Sequence, residues 1–128
     1  MLFRSDLVHL PGFVPDDDLR SLLAGASCVV IPSLYEPFGI VALEGMAAGA
    51  PTVVARTGGL AEIVGDTGAG VLFEPGDHHA LAAAIEGIVT DPAGADRVRT
   101  EAASLLRRTY SWDAVATSTI DVYRDAAR

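Results

Sequence analysis

Two glutamates eight residues apart, Glu36 and Glu44, are the side chains in this 128-residue chain whose type and placement best suit chemistry. Glu36 precedes Pro37, and a proline disfavours the helical region for the residue before it while its own φ is preset for a helix start. The pattern predicts a helix over residues 37–48, ended by Gly49. Glu36 then stands extended at the helix mouth. The amides of Phe38, Gly39 and Ile40 become first-turn donors that no carbonyl of the helix reaches. Free donors and the positive end of the helix dipole suit an anion or a polar hydroxyl, and Gly39 admits close approach. At about 100° per residue, eight residues bring Glu44 to roughly 80° from Glu36, so both carboxylates can border one groove. There they can accept hydrogen bonds from the vicinal diols of a sugar or a ribose. Alone, the spacing is a weak signal, because a glutamate on an exposed helix is ordinarily just solvated.

The flanking elements place that mouth. Short apolar runs alternate with helical patterns, which predicts an α/β, Rossmann-like fold: a parallel sheet with flanking helices, in a single domain over residues 1–128. Residues 1–6 carry no turn signal. A short strand is expected at 8–10, ended by Pro11-Gly12. Asp16 is expected to cap a helix through residue 24, with Leu19, Leu22, Leu23 and Ala26 on its apolar face. Apolar runs at 28–31, 52–55 and 70–73 read as strands covered on both faces. A Gly58-Gly59 turn precedes a short helix at 60–64. Asp77 caps a helix whose inward face is Leu81, Ile85, Ile88 and Val89, and Asp91-Pro92 opens a turn or helix reaching Arg108. Ser111 caps the last helix, with Trp112, Val115, Ala116, Thr119, Ile120 and Tyr123 on one broad packing face. In such sheets ligands bind beyond the carboxyl ends of the strands, which singles out residues 32–39 and 56–59.

Charge and composition narrow the function classes. The net charge is −8, from 17 carboxylates against nine arginines and no lysine. A chain this acidic, with no basic run, is a poor ligand for nucleic acid or an anionic membrane. It is also an awkward host for a diphosphate, which then needs backbone amides or helix ends. One cysteine, Cys28, excludes an internal disulfide framework, suits a reducing cytoplasmic compartment and is expected to be buried. No run approaches the roughly 18 apolar residues of a membrane span, and the N-terminus lacks the order of a signal peptide. No G-x-G-x-x-G follows a strand, which argues against a dinucleotide oxidoreductase. A glycosidase needs two carboxyl groups whose environments differ, and nothing in the sequence sets Glu36 and Glu44 apart.

The whole string from Pro32 through Glu36-Pro37-Phe38-Gly39-Ile40 and Glu44-Gly45-Met46 to Gly49-Ala50-Pro51 is far more specific than two glutamates. It strongly resembles the signature of the GT-B retaining glycosyltransferases, the large family that includes many bacterial α-glycosyltransferases and glycogen-synthase relatives. The match extends upstream through Gly12-Phe13-Val14 and Asp18-Leu19, and downstream through residues 57–64 and 70–73.

The resemblance implies a C-terminal donor-binding domain and a substrate such as a UDP-, ADP- or GDP-sugar, with no cofactor and, in most members, no metal. Glu36 would be the catalytic-site residue that meets hydroxyls of the donor sugar. Phe38, Gly39 and Ile40 would meet the sugar and diphosphate through their amides, Glu44 would hold the ribose, and Gly12, Phe13 and Val14 would lie near the base. Glucose would be the first sugar to consider, and a glycan or glycolipid the acceptor. The family's Arg and Lys on the leaving diphosphate belong before the matched segment, and its acceptor site and acid/base-like His to a separate N-terminal domain. His9, His78 and His79 do not match that histidine; Arg4 and Arg56 could lend charge from other positions.

Relative to the family the chain therefore reads as N-terminally incomplete and inactive alone. Strand 28–31 would carry an unpaired edge, which predicts a homo-oligomer through that edge or the terminal helix, or a rearranged first strand pairing with 28–31. The competing expectation is a binding or interaction fragment that keeps the fold without transferase activity.

Overall fold

The computed structural model describes residues 7–128, so the opening segment and Arg4 lie outside the described residues. Three valine-rich segments form the strands β1 (Val29–Ile31), β2 (Thr52–Ala55) and β3 (Val71–Phe73). They pair in parallel in the order β1-β2-β3, with Val30 opposite Val53 and Val54 opposite Leu72. Branched side chains pack well on a pleated surface, and successive residues alternate between its two faces. Ile31 and Val54 join the core on one face, with Leu72 packed against it, and Val53, Ala55 and Phe73 the core on the other.

Each face has its own helices. On the first lie α2 (Ile40–Ala47) and α3 (Gly58–Val64), which contribute Ala42 and Met46 and then Leu60, Ile63 and Val64. The second is covered by α4 (His78–Thr90), through Ile88 and the half-buried Leu81. Helix α5 (Pro92–Leu105) serves both, giving Ala95 to the second core and Ala102 and Leu105 to the first. The sheet is thus an α/β, Rossmann-like layer with apolar cover on both sides, as its unbroken apolar runs require.

The expected caps at Asp77 and Ser111 are present, and Asp91 adds one that was not expected. The Asp77 carboxylate accepts the amides of His79 and Ala80 at 3.0 and 2.9 Å. Asp91 accepts the amide of Gly94 ahead of α5, and Ser111 that of Ala114 ahead of α6 (Trp112–Ala126).

Other expectations are corrected. Residues 8–10 form no strand, and Leu10 is 88% exposed. A strand needs a ladder, and no described segment offers one there. Helix α1 (Asp16–Gly25) starts after Pro15, with Asp16 inside its first turn and no side-chain cap. It buries no residue, so its expected apolar face at Leu19 and Leu22 remains open. Helix α3 begins at Gly58 rather than residue 60. After α5 the chain widens into a π-helical segment, Leu106–Tyr110, instead of running regularly to Arg108. No residue of α6 is buried, and Trp112 is 87% exposed, so Trp112 and Tyr123 are not packing residues among the described ones. Val89 is also exposed, and Cys28 is only partly buried.

The outer edge of β1 has no strand partner among the described residues, and no rearranged first strand pairs with it. Among the described residues no helix is long and apolar enough to cross a membrane.

Candidate functional site

The site begins where β1 and β2 end. Helix α2 starts at Ile40, three residues after Pro37, because Gly39 caps it in the left-handed region at φ 76° and ψ 26°. A side chain at Gly39 would be strained there, and its Cβ would stand 2.8 Å from Ile63 Cδ1. The expected start at Pro37 is therefore wrong by a turn of loop, and Phe38 lies ahead of the helix. The amides of Ala42 and Leu43 reach the Gly39 carbonyl at 3.0 and 3.4 Å. Those of Phe38, Ile40 and Val41 have no acceptor among the described residues. Two of the three expected donors, Phe38 and Ile40, thus remain open, and Val41 joins them.

The third donor is taken. Glu36, half-buried, receives the Gly39 amide on Oε1 at 3.2 Å. Its own carbonyl accepts the Gly59 amide at 2.8 Å, and the Thr57 hydroxyl donates to the Leu34 carbonyl at 3.3 Å. These bonds fasten the loop after β1 to the loop after β2. Their backbones touch because neither Gly58 nor Gly59 carries a side chain. A Cβ at Gly58 would overlap the Glu36 carbonyl oxygen, and one at Gly59 would stand 2.6 Å from the Phe38 carbonyl. Gly58 also holds φ 42°, where other residues are strained.

Glu44 faces elsewhere. It is exposed on α2 and borders a groove against α1 with Asp16, Leu19, Arg20, Leu23 and Ala24, about 520 Å³ in volume. Because Glu36 precedes the helix, the 80° relation between the glutamates does not apply. One acid faces the start of α3 and the other the α1 groove. Gly12, Phe13 and Val14 lead into α1. Phe13 is 91% exposed, and with Val14 it lines a separate shallow hollow beside Asp18, Ser21 and Leu22. Helix α1 therefore stands between that segment and Glu44.

Neither Glu36 nor Glu44 is in an ion pair among the described residues. Arg56, on the loop after β2, is paired with Glu74 after β3 at 3.0 Å. No cluster of His, Cys, Asp and Glu able to hold a metal occurs among the described residues.

Asp16, expected only as a helix cap, and Arg20, with no expected part, share the Glu44 groove. Their four-residue spacing, continued at Leu23 and Ala24, marked a face of α1 that overlaps the expected apolar one at Leu19 and Leu23 and lies roughly 80° around the helix from it. The sequence reading also passed over Thr57, whose place just before the Gly-Gly pair was the available signal.

Residues 2–105 match the model of the family described as glycosyl transferases group 1. The chain is 44% identical over 117 residues to a glycogen synthase of Mycobacterium tuberculosis, covering 91% of this chain and 28% of that protein. Among solved structures it is similar to sucrose-phosphate synthase from Thermosynechococcus elongatus, with a TM-score of 0.82 and 36% identity over 96% of this chain and 31% of that one. It is also similar to Anabaena HepE, solved in complex with UDP-glucose, with a TM-score of 0.69 and 29% identity over 87% of this chain and 30% of that one. The chain thus spans less than a third of the relatives it matches. The close backbone contact of the two loops, the parallel sheet and these likenesses lead to one conclusion: this chain belongs to the group 1 glycosyl transferases.

Proposed function

We propose that this chain is the donor-binding part of a retaining glycosyltransferase that moves a sugar, glucose first among the candidates, from a nucleotide diphosphate sugar to a glycan or glycolipid acceptor. The observation that carries the reading is the fastening of Glu36 to Gly59, which holds open amides beyond the carboxyl ends of β1 and β2. There the amides of Ile40 and Val41 meet the diphosphate, with the helix dipole favouring its charge. The carboxylate of Glu36 accepts from sugar hydroxyls, and Glu44 from the ribose diol in the α1 groove. Gly12, Phe13 and Val14 lie toward the base. The UDP-glucose held by the Anabaena relative is the ligand chemistry this arrangement suits. The chain works without a metal or cofactor, in the cytoplasm, and self-associates through the β1 edge or α6.

Calorimetry with UDP, ADP, GDP and their glucose conjugates tests the reading. Hydrogen bonds to a charged group contribute about 1.5–3 kcal/mol, so Glu44→Ala loses that much affinity for the preferred nucleotide. Glu36→Ala removes the preference for the sugar conjugate over the bare nucleotide. Equal binding by wild type and Glu44→Ala, or none by either, sinks the assignment.

Arg56 favours a second reading for this chain taken alone. Stabilising the leaving group's charge is usually the largest catalytic contribution. Arg56 is the one arginine on the loops after β1, β2 and β3, and Glu74 already holds it. The chain alone then binds donor and does not turn it over; a turnover assay beside the titration separates the two.

A further inference from the structure

The loop after β2 is the middle of three that leave the carboxyl end of the sheet. One side of it fits against the loop after β1 through Thr57, Gly58 and Gly59. On the other side the Arg56 amide donates to the Phe73 carbonyl at 2.8 Å, placing Arg56 alongside the end of β3. Its guanidinium continues that way and meets Glu74 Oε1 through Nε at 3.0 Å. The strand order β1-β2-β3 puts Glu74 across β2 from Glu36, so the pair turns the charge away from the open amides of α2.

These three loops, residues 32–39, 56–57 and 74–77, hold no other Lys or Arg, and the whole chain carries a net charge of −8. An anion at the α2 mouth therefore has one fixed cation within the same set of loops, and that cation is neutralised.

We infer that Glu74 is a positioning residue that holds Arg56 off the α2 mouth, and that release of this pair lets Arg56 bind the phosphates of a nucleoside diphosphate. The inference rests on the proposed donor site. Both partners are largely exposed, and exposed ion pairs hold their members weakly and are screened by salt. A ligand with two phosphates can therefore compete for Arg56, and removing the Glu74 charge favours the ligand. Exposure also makes both positions tolerant of substitution.

The test is a double-mutant cycle on this chain, with UDP as the probe and uridine as the phosphate-free control, read by calorimetry at low salt. Glu74→Gln is expected to tighten UDP roughly two- to fivefold, in line with the small size of exposed pairs. Arg56→Gln weakens UDP, and Glu74→Gln adds nothing in the Arg56→Gln background. Uridine affinity is the same for all four proteins. If Glu74→Gln tightens UDP equally with and without Arg56, the gain is a general field effect and the inference fails. It fails too if wild type binds UDP and neither single variant changes it, while the donor reading survives. If wild type binds no UDP, both fall.

Discussion

The amide of Gly59 donates to the carbonyl of Glu36 over 2.8 Å, joining the chain after β1 to the chain after β2. The bond fixes the backbone of the residue whose carboxylate is proposed to meet the donor sugar. It exists only because two successive glycines let α3 begin against that backbone. The site is therefore set by a backbone contact, and its side chains are hung on it.

Gly59→Ala tests the contact directly. The added methyl would lie 2.6 Å from the Phe38 carbonyl. Overpacking of this kind costs about 1–3 kcal/mol, and urea unfolding should show it. Gly87→Ala is the counterpart: Gly87 lies inside α4 with nothing within 4 Å of a Cβ. Lower backbone entropy in the unfolded chain should there raise stability by about 0.4–1 kcal/mol.

Glu36→Ala leaves the Gly39 amide without its carboxylate acceptor. At 3.2 Å and only part-buried the bond is weak for one to a carboxylate, so the expected loss is about 0.5–1.5 kcal/mol, and Glu36→Gln, which keeps a side-chain oxygen at the same reach, should recover most of it. Chemical denaturation of the two variants side by side decides whether the bond matters to the loop.

Asp77 should give the acid limb of the stability curve one of its contributions. The amide of Ala80 holds its carboxyl below the usual aspartate value, against some desolvation, and the amide of His79 and the charges of His79 and His78 assist. A depressed folded-state pKa stabilises fully above the unfolded value, and that contribution is lost as pH falls through the folded value. Asp77→Asn keeps a capping oxygen but cannot titrate, so its unfolding midpoint should vary less than wild type's from pH 5 down to about pH 2.

Trp112→Ala should change stability by no more than about 0.5 kcal/mol, because the ring is exposed. Leu60→Ala, at a fully buried position, should cost about 2–5 kcal/mol. A large loss at Trp112 would show that another surface covers that ring in solution.

The sheet was legible because β2 and β3 are runs of apolar residues that only two-sided burial explains, and their expected limits hold within a residue. Caps at Asp77 and Ser111 were legible for a similar reason: the side chain that makes the bond names itself. The start of α2 was not. Pro37 is compatible with a helix start, and the left-handed turn at Gly39 packs against Leu60 and Ile63, which only the fold brings there. Amphipathic patterns on α1 and α6 were read as buried faces, but periodicity reports only that a helix has an apolar side. It does not say that anything covers it. Glu36 and Glu44 were found from spacing, yet their separation onto two sides of α2 followed from that same glycine turn.

The bond from Gly39 to Glu36 also makes one proton a gauge of occupancy. A hydroxyl that arrives at Oε1 must share or displace the amide already there. Deuterium uptake at Gly39 should therefore shift when the loop is filled, with no dye or tag attached. Since the left-handed bend belongs to that same residue, the gauge stands at the joint where loop gives way to helix.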